Sequence, residues 1–141
     1  MWGASANKGR GAPPAGAAAP RAPIKMLIVD DSNIVRRRIE RSQQFDNLVV
    51  IGSAANGVEA LEIFAKTDPD VVTMDLTMPM MDGIECIGRM VAKRPSVRIL
   101  VISALADKAT AVEAMERGAN GFLNKPFTDR QLNEAIEELI R

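Results

Sequence analysis

The chain contains no histidine. That excludes a histidine kinase or histidine phosphotransfer protein, any Ser-His-Asp or Cys-His catalytic arrangement, and any His-based metal site. It has one cysteine, Cys86, so no internal disulfide can form, which is compatible with a reducing compartment. No apolar run approaches the roughly 20 residues of a membrane-spanning helix. No Leu-rich segment follows the first basic residues, so a secretory signal is not expected. Eighteen basic and 18 acidic residues balance, which disfavours a uniformly basic nucleic-acid binder. A length of 141 residues suits one domain with a real core and leaves no room for a second full one.

What is present divides at about residue 23. Between Gly11 and Pro23, 12 of 13 residues are Ala, Pro or Gly, too little apolar side chain to offset the entropy of ordering. Residues 1–23 therefore read as a flexible, partly extended arm. Lys8, Arg10 and Arg21 give it a charge of +3 without acids, leaving −3 on the remainder. A vector or start-site origin and a tether to a partner are both open for the arm, and Trp2 within it would report little on the core.

From Ile24 onward, short apolar runs alternate with amphipathic ones. Strands are expected at about 25–30, Val49–Ser53, Val71–Met74, Val97–Ile102 and Gly121–Asn124. Helices are expected from Asn33 to about Gln43, after Asn56-Gly57, from Gly83, from near Asp107 to just before Gly118, and after Thr128. The second helix is read with Val58, Leu61 and Ala65 on its buried face, the third with Ile84, Ile87 and Val91. Asp107 suits an N-cap and Gly118 a C′ position. Thr128-Asp129-Arg130-Gln131 has the capping-box pattern, with Leu132, Ile136 and Leu139 on the buried face behind it. Five strands alternating with five helices predict an α/β sandwich with a parallel sheet. The pattern alone leaves a dinucleotide-binding and a flavodoxin-type fold open.

Four strands end on residues suited to phosphoryl chemistry. The first ends on Asp30-Asp31, the third on Asp75, the fourth on Ser103 and the fifth on Lys125-Pro126. In an open parallel sheet, ligands bind beyond the carboxyl ends of the strands, so these groups are expected to converge. Three carboxylates in one crevice repel and call for a hard cation with oxygen ligands, for which Mg²⁺ fits. Asp30 and Asp31 are more acid than a helix cap needs, since Ser32 or Asn33 would serve. Asp75, at a strand end before a rigid loop, is a candidate nucleophile through its carboxylate. The haloacid-dehalogenase nucleophile needs a second Asp two positions on, where this chain has Thr77. Ser103 can donate a hydrogen bond to a phosphoryl oxygen. Lys125 supplies a mobile positive charge, which a cis Lys125–Pro126 bond would aim inward.

These motifs identify a resemblance. Val29-Asp30-Asp31-Ser32, Met74-Asp75-Leu76-Thr77-Met78-Pro79-Met80-Met81-Asp82-Gly83, Ile102-Ser103-Ala104 and Gly121-Phe122-Leu123-Asn124-Lys125-Pro126-Phe127 resemble the response-regulator receiver domain, the CheY-like family of two-component signalling. The resemblance spans residues 24–141 and implies a flavodoxin-like (βα)5 doubly wound parallel sheet with strand order 2-1-3-4-5. It also implies that Asp75 accepts a phosphoryl group from a phosphohistidine on a histidine kinase or phosphotransfer protein. Asp31, Asp75 and the backbone carbonyl of Thr77 would bind Mg²⁺, with Asp30 acting directly or through water. Ser103 and Lys125 would hold the phosphoryl oxygens, and Thr77 and Ala104 would flank the approach of water. Phe122 occupies the place of the family's switch aromatic, often Tyr. It would move with Ser103 to reshape the face of the fourth helix, fifth strand and fifth helix.

The expected role is a cytoplasmic, single-domain phosphoacceptor that catalyses only its own phosphorylation and dephosphorylation. Its output would pass through a downstream protein target, for which the flagellar motor switch of chemotaxis is one home. No direct nucleic-acid or membrane binding is expected, and the chain would be a monomer or a phosphorylation-linked dimer. A phosphate sink, a phosphorelay intermediate and a receiver fragment of a larger DNA-binding or enzymatic regulator are the alternatives. A flavin protein is disfavoured, because the loop after the first strand is acidic and Gly-poor, unsuited to cradling a flavin phosphate. Arg36, Arg37, Arg38 and Arg41 read as a solvated helix face, with docking of an acidic kinase domain as the alternative. Met78, Met80 and Met81 read equally as loop packing or adaptable partner contacts.

Overall fold

The computed structural model describes residues 22–104 and 107–141. Of the arm expected over residues 1–23, only the exposed Ala22 and Pro23 are among them; the rest, Trp2 included, lies outside the described residues. The elements alternate as the sequence predicts: β1 (Ile24–Val29), α1 (Asn33–Ser42), β2 (Leu48–Ala54), α2 (Gly57–Thr67), β3 (Val71–Met74), α3 (Gly83–Lys93), β4 (Arg98–Ser103), α4 (Lys108–Glu116), β5 (Gly121–Asn124) and α5 (Asp129–Ile140). All strand pairings are parallel, in the order β2-β1-β3-β4-β5. This is the flavodoxin-like receiver topology.

Helices cover both faces of a parallel sheet, so its central strands can be apolar throughout. Every residue of β3 is buried, as are five of the six in β1 and in β4. The sheet divides the core into two clusters. Met26, Ile28, Leu100 and Ile102 pack with Ile39 of α1, with Phe127, and with Leu132, Ile136 and Leu139 of α5. Leu27, Val29, Val72, Met74, Ile99 and Val101 pack with Ala60 and Phe64 of α2, Ile87 and Met90 of α3, and Ala114 of α4.

The helix starts follow from local chemistry. Ser32, Asn56, Asp82, Asp107 and Thr128 each accept a backbone N–H of the first turn, and Thr128 with Gln131 forms the full capping box. Gly118, at φ 115°, turns the chain after α4 in a conformation that side-chain-bearing residues rarely adopt. One expected face is corrected. In α2, Gly57, Ala60 and Phe64 are buried, whereas Val58 is 38% exposed and Ala65 is exposed. Phe64 has far more apolar surface to bury than Val58 or Ala65, and it sets the rotation of the helix.

Candidate functional site

The backbone hydrogen-bond ladder continues one residue past three of the strands. The Asp30 N–H donates to the Ala54 carbonyl at 3.0 Å, Asp75 N–H to Val29 at 2.9 Å and Lys125 N–H to Ser103 at 2.9 Å. The polar groups are thus fixed by the sheet itself. Val29 pairs with Met74, Met74 with Val101 and Ser103 with Asn124. That register brings Asp30 beside Asp75 and seats Ser103, 1% exposed, beside the residue that precedes Lys125.

The carboxylate oxygens of Asp30, Asp31 and Asp75 lie within 4.8 Å of one another. Asp30 and Asp75 are buried, at 1% and 4% exposure, while Asp31 is exposed. Lys125 Nζ lies 2.8 Å from Asp30 Oδ2 and 3.5 Å from Asp75 Oδ1. The Lys125–Pro126 peptide is cis. The Ser32 N–H donates to Asp30 Oδ1 at 2.9 Å, so both oxygens of Asp30 are engaged. Ser32 is also the N-cap of α1, which leaves neither aspartate needed for capping.

One ammonium against three clustered carboxylates leaves an excess of negative charge, costly where two of the three are buried. Burial is the largest influence on Asp75. With the charge of Asp30, and to a lesser extent Asp31, it pushes the Asp75 carboxyl up to about 6, against the opposing pull of Lys125 and a hydrogen bond from the Thr77 N–H. For Lys125, burial works against the charged form, but the hydrogen bond and charge of Asp30 and the charge of Asp75 outweigh it and raise the ammonium's pKa. An all-oxygen donor set with surplus negative charge and an exposed member facing solvent fits a hard divalent cation such as Mg²⁺.

The structure thus brings Asp30, Asp31, Asp75 and Lys125 together and places Ser103 on the adjoining strand end. Thr77 is exposed, and its N–H holds the Asp75 carboxylate. Phe122, half-buried, packs against the cluster beneath α2, α3 and α4. Met78 and Met81 pack on the same cluster, whereas Met80 is 76% exposed with φ 73°. Gly83 brings α3 against the chain that leaves β3: a Cβ there would lie 2.2 Å from the Asp75 carbonyl oxygen.

Sequence reasoning missed four contributors, the N–H groups of Ser32 and Thr77 and two of the helix arginines. Arg37 and Arg41 are exposed, as a solvated face requires. Arg36 instead donates to the Asp30 carbonyl at 2.6 Å, and Arg38 donates to the Phe127 carbonyl. Arg36 lies one turn beyond Ser32, a spacing that offers a local signal. The Arg38 contact spans 89 residues of sequence and leaves none.

A five-stranded 2-1-3-4-5 sheet with this acidic cluster and lysine at its carboxyl edge defines a class, and a family comparison agrees: the response regulator receiver domain profile matches residues 26–137. The chain belongs to the response regulator receiver family and is CheY-like. The chemotaxis protein CheY of Listeria monocytogenes is 37% identical over 118 residues, covering 84% of this chain and 99% of that protein. A protein-glutamate methylesterase/protein-glutamine glutaminase of Pseudoalteromonas atlantica is 47% identical over 113 residues, which cover 77% of this chain but 29% of that protein. Among solved structures, the CheY of a CheX-CheY-BeF3-Mg complex from Borrelia burgdorferi superposes with a TM-score of 0.81 at 29% identity, covering 85% of this chain and 91% of that one. The response regulator domain of Thermotoga maritima CheB gives a TM-score of 0.75 at 33% identity, covering 84% and 94%. No helix among the described residues is long and apolar enough to cross a membrane.

Proposed function

We propose that Asp75 is the phosphoryl acceptor of a two-component, chemotaxis-type response regulator. The observation that carries this reading is the buried Asp75 carboxylate, 3.5 Å from the Lys125 ammonium and clustered with two further carboxylates. Asp31, Asp75 and the Thr77 carbonyl would hold Mg²⁺, with Asp30 directly or through water, and the ion would neutralise charge on the transferring group. An Asp75 carboxylate oxygen attacks phosphorus, the P–N bond to a donor histidine breaks, and its electron pair stays on that nitrogen. The Thr77 N–H orients the attacking carboxylate. Lys125 and the Ser103 hydroxyl hold the phosphoryl oxygens as charge shifts onto Asp75. Water then cleaves the acyl phosphate and resets the site.

Phe122 packs against the core cluster that includes Ala114 of α4, two register steps from the Ser103–Asn124 pair. That neighbourhood supports a switch in which Ser103 is drawn toward the phosphoryl group, Phe122 follows, and the α4–β5–α5 face changes for a protein target. A histidine kinase or phosphotransfer protein would be the donor. One relative reported above, of Listeria monocytogenes, is a chemotaxis protein, which supports that setting.

The test is intact mass after incubation with a small acyl phosphate, with and without Mg²⁺, on wild type and Asp75→Asn. One added phosphoryl group, seen only with Mg²⁺ and only in wild type, is the expected result. Equal labelling of Asp75→Asn would remove Asp75 from its role.

A further inference from the structure

Lys125 has to stand between Asp30 and Asp75, yet it sits at the start of an irregular connection between β5 and α5. No strand pairing follows it, and its neighbour Pro126 has no N–H to donate. The bond from the Lys125 N–H to the Ser103 carbonyl is the last of the ladder, so something else must fix the segment beyond it. We infer that Arg38 is the positioning residue for Lys125: its guanidinium fastens the β5–α5 connection to α1 and so sets where the ammonium stands. The inference rests on the phosphoacceptor reading above.

Three contacts from one side chain fall on this short segment. The Arg38 guanidinium donates to the Phe127 carbonyl, its Cζ lies 4.4 Å from the centroid of the Phe127 ring, and Nη2 lies 3.4 Å from Asp129 Oδ1 in the first turn of α5. Phe127 is itself anchored at 5% exposure in the cluster beneath α1 and α5. An exposed arginine ordinarily gains little from a single surface partner. Hydrogen bond, ring stacking and ion pair together restrict both the guanidinium and the segment it grips.

Arg36, two residues earlier, closes the circuit. It donates to the Asp30 carbonyl at 2.6 Å, and Asp30 Oδ2 accepts from Lys125 Nζ at 2.8 Å. Only Pro126 separates Lys125 from Phe127, and Arg38 returns the path to α1. Both loops that carry the ion pair are thus held to one rigid helix. Removing the Arg38 guanidinium opens the circuit on the Lys125 side. It leaves Asp31, Asp75 and the Thr77 backbone, the cation-binding groups, untouched.

The test measures the affinity of beryllofluoride, a phosphoryl mimic, at saturating Mg²⁺, and separately of Mg²⁺ alone. The proteins are wild type, Arg38→Met, Arg38→Lys, Lys125→Ala and Arg38→Met/Lys125→Ala, with far-UV circular dichroism checking the fold. Arg38→Met is expected to weaken beryllofluoride about tenfold while Mg²⁺ affinity stays within about twofold, and Arg38→Lys to recover part of the loss. In the Lys125→Ala background the Arg38 substitution should cost nothing further, because its effect passes through the ammonium. If Arg38→Met does not fold, the same comparison is made with Arg38→Lys alone and in the Lys125→Ala background. Wild-type beryllofluoride affinity in the Arg38 variants, an equal loss in the Lys125→Ala background, or a parallel loss of Mg²⁺ affinity would each overturn the inference. Failure of the wild type to bind beryllofluoride with Mg²⁺ would instead overturn the phosphoacceptor reading.

Discussion

Asp75 is a residue whose burial works against the fold and for the chemistry. Its carboxyl titrates at about 6 in the folded chain against an ordinary value of 3.8. Between those two values the folded state holds a proton that the unfolded state has released, so stability falls as pH rises through the window and stays at its lower level above it. Asp75→Asn removes that liability. Without Mg²⁺ it should be more stable than wild type at pH 7.5, by on the order of 3 kcal/mol, with the gap closing as pH approaches 4. Urea unfolding followed by far-UV circular dichroism at a series of pH values reads this directly, and equal stability at pH 7.5 would refute it. At this scale the sequence was most legible where chemistry falls at the end of an apolar run, as with Asp30, Asp75, Ser103 and Lys125. It was silent on Arg38, because a contact with Phe127 depends on how α1 and α5 pack and not on any local pattern.

Among the elements, α3 starts against the end of β3. Gly83 is its first residue, and the Asp75 carbonyl fills the space that a side chain would need. Gly83→Ala should therefore cost about 1–3 kcal/mol through backbone displacement and slow the labelling of Asp75. Gly88, in the middle of the same helix, is a matched control. A Cβ there would meet Nη1 of Arg117 at 3.0 Å, the far end of a flexible side chain, so Gly88→Ala should be neutral or gain up to about 1 kcal/mol of helix propensity. Thermal melts of the two variants compare them, and a harmless Gly83→Ala would show that the contact yields. Element boundaries were legible because caps are local chemistry: Asp107, Thr128-Gln131 and Gly118 act where their spacing placed them. The buried face of α2 was not, since Val58, Leu61 and Ala65 fit a helical period as well as Gly57, Ala60 and Phe64 do. Only tertiary packing decides between two such stripes.

For the molecule as a whole, a cation that binds only the folded chain must stabilise it, by about 2.7 kcal/mol at a hundredfold excess over its dissociation constant. Mg²⁺ should raise the Tm of wild type and chelation should reverse it. The rise should be smaller at pH 5.5 than at pH 7.5, because the proton and the cation compete for Asp75. An equal rise in Asp75→Asn at both values would place the cation elsewhere. Alternation alone gave the layered architecture but not the strand order, which came with the receiver motifs, because nothing in an apolar run says which neighbour it will pair with. The resulting sheet is unequally loaded from its centre to its β5 edge. Of α4, only Ala114 is fully buried, and β5 has no fully buried residue at all, while the strands at the centre are almost completely enclosed. On α4's own side, lifting it therefore exposes little fully buried surface beyond the methyl group of Ala114, worth about 1 kcal/mol. The fold is a balance with one light pan, and α4 and β5 lie in it.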